Sequence, residues 1–219
     1  AWREMARQVA HEIKNPLTPM KLNLQFLQKA ITEKSPDVQE ISMRVASSLV
    51  SQIDHLSKIA LDFSQFANIG NARTSTFDLQ TVIRDLVNLY DTQEHMHIAW
   101  NPVEQPVYIN ADKTQMNRLF TNLLQNASEA ADGLPGFRIT INESVSDRHV
   151  LIEVKDNGPG IPADIQPRIF MPNFTTKSSG TGLGLAICKA IVENAGGRIW
   201  FRTSAQEGTS FFVELPLSR

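Results

Sequence analysis

The chain has 219 residues, of which 42% are hydrophobic and 20% charged, and its formal net charge is −2. This is the composition of a globular protein. It has no basic block that would argue for nucleic acid, and no stretch approaching the ~20 apolar residues of a membrane span. A single cysteine, Cys188, excludes an internal disulfide and reads as a small buried residue on a helix.

The first residues, "AWREMARQVAHEIK", are already in helical rhythm and lack an initiator methionine. The chain therefore reads as a piece of a longer protein, whose missing part would carry any membrane spans or sensor domains. Residues 1–69 read as two long helices. Trp2, Met5, Val9, Ile13, Leu17, Met20, Leu24, Leu27 and Ile31 recur every three or four residues, and Val38, Ile41, Val45, Leu49, Ile53, Leu56, Ile59, Phe63 and Phe66 do the same. "TEKSPD" supplies the turn, with Ser35-Pro36 opening the second helix. Two helices enclose only a thin core, so the expected arrangement is a homodimer whose hairpins form a four-helix bundle.

"HEIKNPLTP", His11 to Pro19, lies within the first helix. At ~100° per residue, His11 falls on the side away from the apolar stripe, with Asn15, Thr18, Leu22 and Gln25 near it. Glu12 is placed to accept a proton from one imidazole nitrogen and leave the other as a neutral nucleophile. Pro16 and Pro19 remove the hydrogen bonds to the carbonyls of Glu12 and Asn15, at a cost of ~3 kcal/mol or more each. A purely structural helix gains nothing from that, whereas a helix loosened around an exposed nucleophile gives a second domain access to it.

"GNARTST", residues 70–76, reads as a polar linker. From Phe77 to the end, helical segments ("LQTVIRDLVNLYD", "ADKTQMNRLFTNLLQNASEAA", "GLGLAICKAIVENA") alternate with short strands ("HIAW", "PVYIN", "RITINES", "HVLIEVKD", "RIWFRT", "TSFFVELP"). Three helices and a mixed sheet predict a two-layer α/β sandwich, making the whole chain α+β.

Four stretches of this second part agree on one ligand. "NLLQNASEA" sets Asn122 and Asn126 one turn apart on a helix, as amides that can hold Mg²⁺ or its waters beside phosphates. In "VKDNGPGIP", Asp156 ends a strand, and Gly158 and Gly160 let the backbone pass close to a flat ligand. "GTGLGLA" opens a helix with Gly180, Gly182 and Gly184, where free N–H groups favour phosphate. A dinucleotide-binding reading is set aside, because these glycines follow the loop "MPNFTTKSSG" rather than a strand. That loop, bounded by Phe170 and Phe174, reads as a lid, with Lys177 able to reach a phosphate. The common ligand is ATP with Mg²⁺.

On these motifs the sequence resembles the catalytic core of two-component sensor histidine kinases over essentially its whole length. "HEIKNPLTP" is similar to the H box, "NLLQNASEA" to the N box, "DNGPGIP" to the G1 box, "RIFMPNF" to the F box and "GTGLGLA" to the G2 box, in family order. The H-box and N-box variants resemble those of nitrogen-regulation-type kinases. The resemblance implies that His11 is the phosphoacceptor, Glu12 its base, and Asn15 the residue that orients water when the regulator is dephosphorylated. It implies Asn126 as the Mg²⁺ ligand, Asn122 at the phosphates, Asp156 on the adenine amine and Thr209 near the adenine. Thr181 and Leu183 complete the G2 box with its glycines. The implied fold of residues 77–219 is that shared by gyrase, chaperone and histidine-kinase ATPases. The implied partner is a response-regulator receiver domain, with no nucleic acid and a membrane only through missing segments, as in the cytoplasmic portion of an inner-membrane sensor. One departure is Glu129, where many relatives carry a basic residue.

Two rival functions are weighed against this one. A gyrase-type ATPase needs a carboxylate on the N-box helix to activate water, and Asn122 cannot act as a base. A non-catalytic dimeric scaffold gated by ATP would need neither His11 nor Glu12.

Overall fold

The computed structural model describes residues 2–91, 97–131, 134, 136–172 and 182–218. The chain folds as two compact units, Ala1–Ala67 with Pro172–Leu183, and Asn68–Met171 with Gly184–Arg219.

The first unit is built on two helices, α1 (Trp2–Thr32) and α2 (Val38–Ala67). Their turn is closed by backbone bonds from Lys34 N to the Ile31 carbonyl and from Ser35 N to the Ala30 carbonyl. This is the Schellman pattern, which uses up the last free carbonyls of α1. It puts Lys34 at φ 52°, a left-handed conformation that costs a side-chain-bearing residue ~1–2 kcal/mol. Pro36 follows, where the helix cannot continue. Ala30, Ile41 and Val45 are buried beside the turn, with Leu27, Val38 and Leu49 packed on them. Further along, Asn23 Nδ2 donates to Ser48 Oγ at 3.0 Å.

The apolar stripe of the sequence divides in the folded hairpin. Val9, Ile59 and the residues by the turn are buried, but Leu24 and Ile53, members of the same stripe, remain 50% exposed. Leu17, Ile31, Met43, Val50 and Leu61 are exposed too.

The second unit begins with a 3-10 turn, Ile69–Asn71. It continues as β1 (Ser75–Asp78), α3 (Leu79–Asp91), β2 (Ile98–Asn101), β3 (Tyr108–Ala111), α4 (Lys113–Ala131), β4 (Ile139–Val145), β5 (His149–Asp156), α5 (Gly184–Asn194), β6 (Arg198–Ser204) and β7 (Gly208–Pro216). The expected two-layer α/β fold is present. Five strands form a mixed sheet in the order β2-β4-β5-β7-β6, parallel between β2 and β4 and antiparallel elsewhere. The strand expected from "PVYIN" lies outside that sheet and pairs with β1 in a separate two-stranded ribbon.

Alternation along the strands produces the core. Val150, Ile152 and Val154 of β5 are buried on one face, as are Phe211, Val213 and Leu215 of β7. Leu119, Leu123, Ile187 and Ile191 from the helices are buried with them. Each such side chain contributes roughly 1.5–3 kcal/mol relative to exposure. The segment at residues 70–76, where a linker is expected, is tied into this unit together with Ile69 before it. The Ile69 carbonyl accepts from Gln115 Nε2 at 3.1 Å and Asn194 Nδ2 at 3.2 Å, and Arg73 N donates to Asp112 Oδ2 at 2.8 Å. Asp112 Oδ1 meanwhile caps α4 through Thr114 N and Gln115 N.

Candidate functional site

His11 and its neighbours on α1 lie in one unit, and the residues around Asp156 lie in the other. On the hairpin, His11, Asn15, Thr18, Leu22 and Gln25 are all exposed, as the helical geometry predicts. Glu12 is half-buried, because the next position on a helix turns ~100° toward the inner face. Burial pushes its carboxyl above the usual carboxylate range, which makes it a stronger base than an exposed glutamate. No hydrogen bond joins it to His11 among the described residues.

Helix α1 runs unbroken through Pro16 and Pro19. The Pro16 ring is buried while Pro19 is exposed. Pro16 thus serves packing on the inside of the hairpin, while its missing N–H frees the Glu12 carbonyl next to His11.

In the second unit the arrangement centres on Asp156, the last residue of β5, which is only 4% exposed. Its Oδ1 accepts from Gly158 N at 2.9 Å and Thr209 N at 3.2 Å. Its Oδ2 takes no hydrogen bond from the described residues. Desolvation raises the carboxyl pKa, and the two backbone bonds oppose the rise. A buried carboxylate with one oxygen committed and one available suits an amine donor such as the 6-amino group of a purine.

The loop after Asp156 is shaped by close approach. A Cβ on Gly158 would lie 2.9 Å from Asp156 Oδ1 and 3.3 Å from the Ala130 Cβ. Gly160 has φ +78°, and a Cβ there would lie 2.6 Å from the Ser204 carbonyl oxygen. Both glycines are therefore required by geometry.

Asn122 and Asn126 are half-buried on α4. The Asn122 amide Nδ2 donates to the Gly184 carbonyl at 3.4 Å. The Cys188 thiol donates to the Leu119 carbonyl at 3.7 Å, and burial pushes its pKa up to about 12. Asn122 is thus turned toward the start of α5. Asn126 makes no hydrogen bond among the described residues, so its carboxamide oxygen is open to a cation. No cluster of three or more His, Cys, Asp or Glu capable of holding a metal occurs among the described residues. Glu129 is exposed.

Gly182 has φ +63°, Leu183 is buried, and a Cβ on Gly184 would meet open space. Glycine at position 184 is therefore not required by packing. Lys177, Gly180, Thr181 and Phe174 lie outside the described residues. Phe170 is described, and its ring meets Phe201 and Phe211 edge-on at 6.0 and 6.3 Å.

Sequence reasoning missed Thr203. Its Oγ1 accepts from Ile161 N at 2.8 Å, donates to the Gly208 carbonyl at 3.2 Å and meets Thr209 Oγ1 at 3.0 Å. No motif marks it, and only the pairing Thr203↔Thr209 between β6 and β7 brings it here.

Comparison with known proteins covers both units. The family model of the His Kinase A (phospho-acceptor) domain matches residues 1–72. The model described as Histidine kinase-, DNA gyrase B-, and HSP90-like ATPase matches residues 111–219. Nitrogen regulation protein NtrY of Azorhizobium caulinodans is 31% identical over 99% of this chain and 29% of its own length. Sensor histidine kinase ZraS of Salmonella typhimurium is 32% identical over 99% of this chain and 46% of its own length. The chain thus spans less than half of either relative. Among solved structures, the catalytic domain of histidine kinase ThkA is 32% identical with a TM-score of 0.59, covering 66% of this chain and 97% of that one. ThkA in complex with response regulator protein TrrA is 26% identical with a TM-score of 0.73, covering 98% of this chain and 61% of that one.

Proposed function

The chain belongs to the sensor histidine kinases, and on that premise we propose that it transfers the γ-phosphoryl group of ATP to His11 and then to an aspartate of a response-regulator receiver domain. In the first step an imidazole nitrogen of His11 forms the N–P bond while the bond from the γ-phosphorus to the bridging oxygen breaks and ADP leaves. Glu12 takes the proton on the other ring nitrogen and keeps the attacking nitrogen neutral. Asp156 and Thr209 hold the adenine, Gly158 and Gly160 let the base lie close to the backbone, and the N-terminus of α5 with Gly182, Leu183 and Gly184 faces the phosphates. Asn122 is the anchor that sets the start of α5, and Lys177, Gly180 and Thr181 complete the phosphate side. Asn126 would hold Mg²⁺, which would supply charge neutralisation at the phosphates, and the remaining catalysis is positioning.

The observation that carries transfer over hydrolysis is the amide at Asn122. It cannot take a proton from water, and it is turned toward Gly184. The exposed apolar residues of the hairpin support a homodimer in which residues 1–69 are the dimerisation and phosphoacceptor domain. Residues 70–76 connect that domain to the catalytic domain at 77–219. Asn15, exposed one turn after His11, orients water for removal of phosphate from the regulator. The response regulator protein found in complex with ThkA supports a receiver domain as the acceptor. No helix among the described residues is long and apolar enough to cross a membrane; the assignment to the cytoplasmic portion of an inner-membrane sensor rests on the family resemblance.

The test is incubation with γ-labelled ATP and Mg²⁺. Acid-labile, base-stable label on the protein, transferable to a receiver domain, is the expected result. Release of labelled inorganic phosphate with no labelled protein would favour the ATPase rival.

A further inference from the structure

We propose that Thr203 is a positioning residue that fixes which way the Thr209 hydroxyl points its proton, and thereby makes the base-recognition end of the nucleotide site an acceptor-only surface selective for a 6-amino purine. This rests on the reading that Asp156 and Thr209 receive the base.

The inference follows from counting protons. A threonine hydroxyl has one proton to give and two lone pairs to accept with. Thr203 Oγ1 receives the Ile161 N–H at 2.8 Å and gives its own proton to the Gly208 carbonyl at 3.2 Å. Its remaining neighbour is Thr209 Oγ1 at 3.0 Å. With the Thr203 proton already used, that contact is a hydrogen bond only if Thr209 is the donor. Thr203 is then satisfied in full, and Thr209, 4% exposed, has only lone pairs left to offer. Asp156 offers only lone pairs as well, and its Oδ1 is held by the Thr209 N–H. An exocyclic amine supplies the donors that such a surface needs, whereas the carbonyl of a 6-oxo purine would meet acceptor against acceptor.

Thr203 also joins two parts of the site. Through Ile161 it holds the far end of the loop that begins at Asp156, and through Gly208 and Thr209 it holds the β6–β7 connection. A residue with only this bracing role would, when altered, weaken all purine nucleotides alike. A residue that sets proton direction would change their ranking. The two roles therefore separate in one ratio.

The experiment measures the affinities of ATP and inosine triphosphate for the wild-type chain, Thr203→Val, Thr203→Ser and Asp156→Asn. Valine keeps the β-branched shape but frees the Thr209 proton to point at the ligand. The expected result is a fall of about tenfold in the ATP-to-inosine-triphosphate affinity ratio in Thr203→Val, the size of one mispaired hydrogen bond. Thr203→Ser should keep the wild-type ratio. Because the readout is a ratio within one sample, partial unfolding does not mimic the effect. An unchanged ratio in Thr203→Val overturns the proposal while leaving the nucleotide site in place, provided Asp156→Asn loses ATP. If Asp156→Asn binds ATP like the wild type, the nucleotide reading fails and the proposal falls with it.

Discussion

The two units bury their apolar residues to very different extents. In the α/β unit, the inward residues of β5 and β7 are covered completely, and Asp156 is held in a fixed network of backbone donors. In the hairpin, half of Leu24 and half of Ile53 remain in water, and the potential nucleophile stands exposed on the opposite side. The sheet core is covered within one chain, whereas part of the hairpin's apolar stripe is left in water. A buried carboxylate with its backbone donors already in place suits recognition of a nucleotide, where polar groups must be aimed before the ligand arrives. An open helix with an exposed histidine suits a group that must meet two partners in turn, the nucleotide site and then a receiver.

That division can be broken from either side, and the largest effect comes from the α/β unit. Asp156→Asn replaces an acceptor with an amide that presents a donor to the purine amine. It should weaken ATP binding by about tenfold to a hundredfold while leaving self-association of the hairpin unchanged, read by nucleotide titration and sedimentation. Next in size, Glu12→Ala removes the proposed base and should slow autophosphorylation by about a hundredfold with nucleotide affinity intact. Asn15→Ala should spare autophosphorylation and slow loss of phosphate from the regulator. Equal loss of both activities in both variants would refute the separate roles on α1.

Leu24→Asp puts a charge where a partner hairpin is expected. It should weaken self-association by about a hundredfold without changing ATP affinity, and an unchanged oligomeric state would remove this face from the dimer. The smallest expected effect is at Leu22, which is 60% exposed on the His11 side. With Lys21, Thr18 and Gln25 around it, it forms an apolar centre with a polar rim, as docking patches do. Leu22→Arg should slow phosphate transfer to the receiver several-fold, consistent with loss of one modest contact, and leave dimerisation alone. An unchanged transfer rate would move the docking surface off this strip.

Sequence legibility followed the same division. Helix α3 was readable from "LQTVIRDLVNLYD", because a 3.6-residue period is written within one segment. Strand β5 was equally plain as "HVLIEVKD", the eight residues His149–Asp156 it occupies. The strand Ser75–Asp78 was not, since it is four residues long, follows a polar run, and owes its existence to pairing with β3, Tyr108–Ala111, far along the chain. The hairpin stripe read as one feature, yet it splits into a covered and an uncovered part, because periodicity gives direction on a helix but not the width that one neighbour can cover. In the site, Asp156 announced itself through the glycines beside it. Thr203 gave no local sign, for its role depends on β-register with Thr209 and on the reach of a loop more than forty residues earlier.

The nucleophile and the base-recognition residues around Asp156 belong to different units, and one paired measurement on His11→Gln tests their separate roles most directly. Phosphohistidine formation from γ-labelled ATP and ATP affinity are measured on the same sample, beside the wild type. The account predicts that the acid-labile label disappears in His11→Gln while ATP binds with unchanged affinity. Label of the same chemical stability persisting in His11→Gln, or ATP affinity lost along with the label, would contradict it.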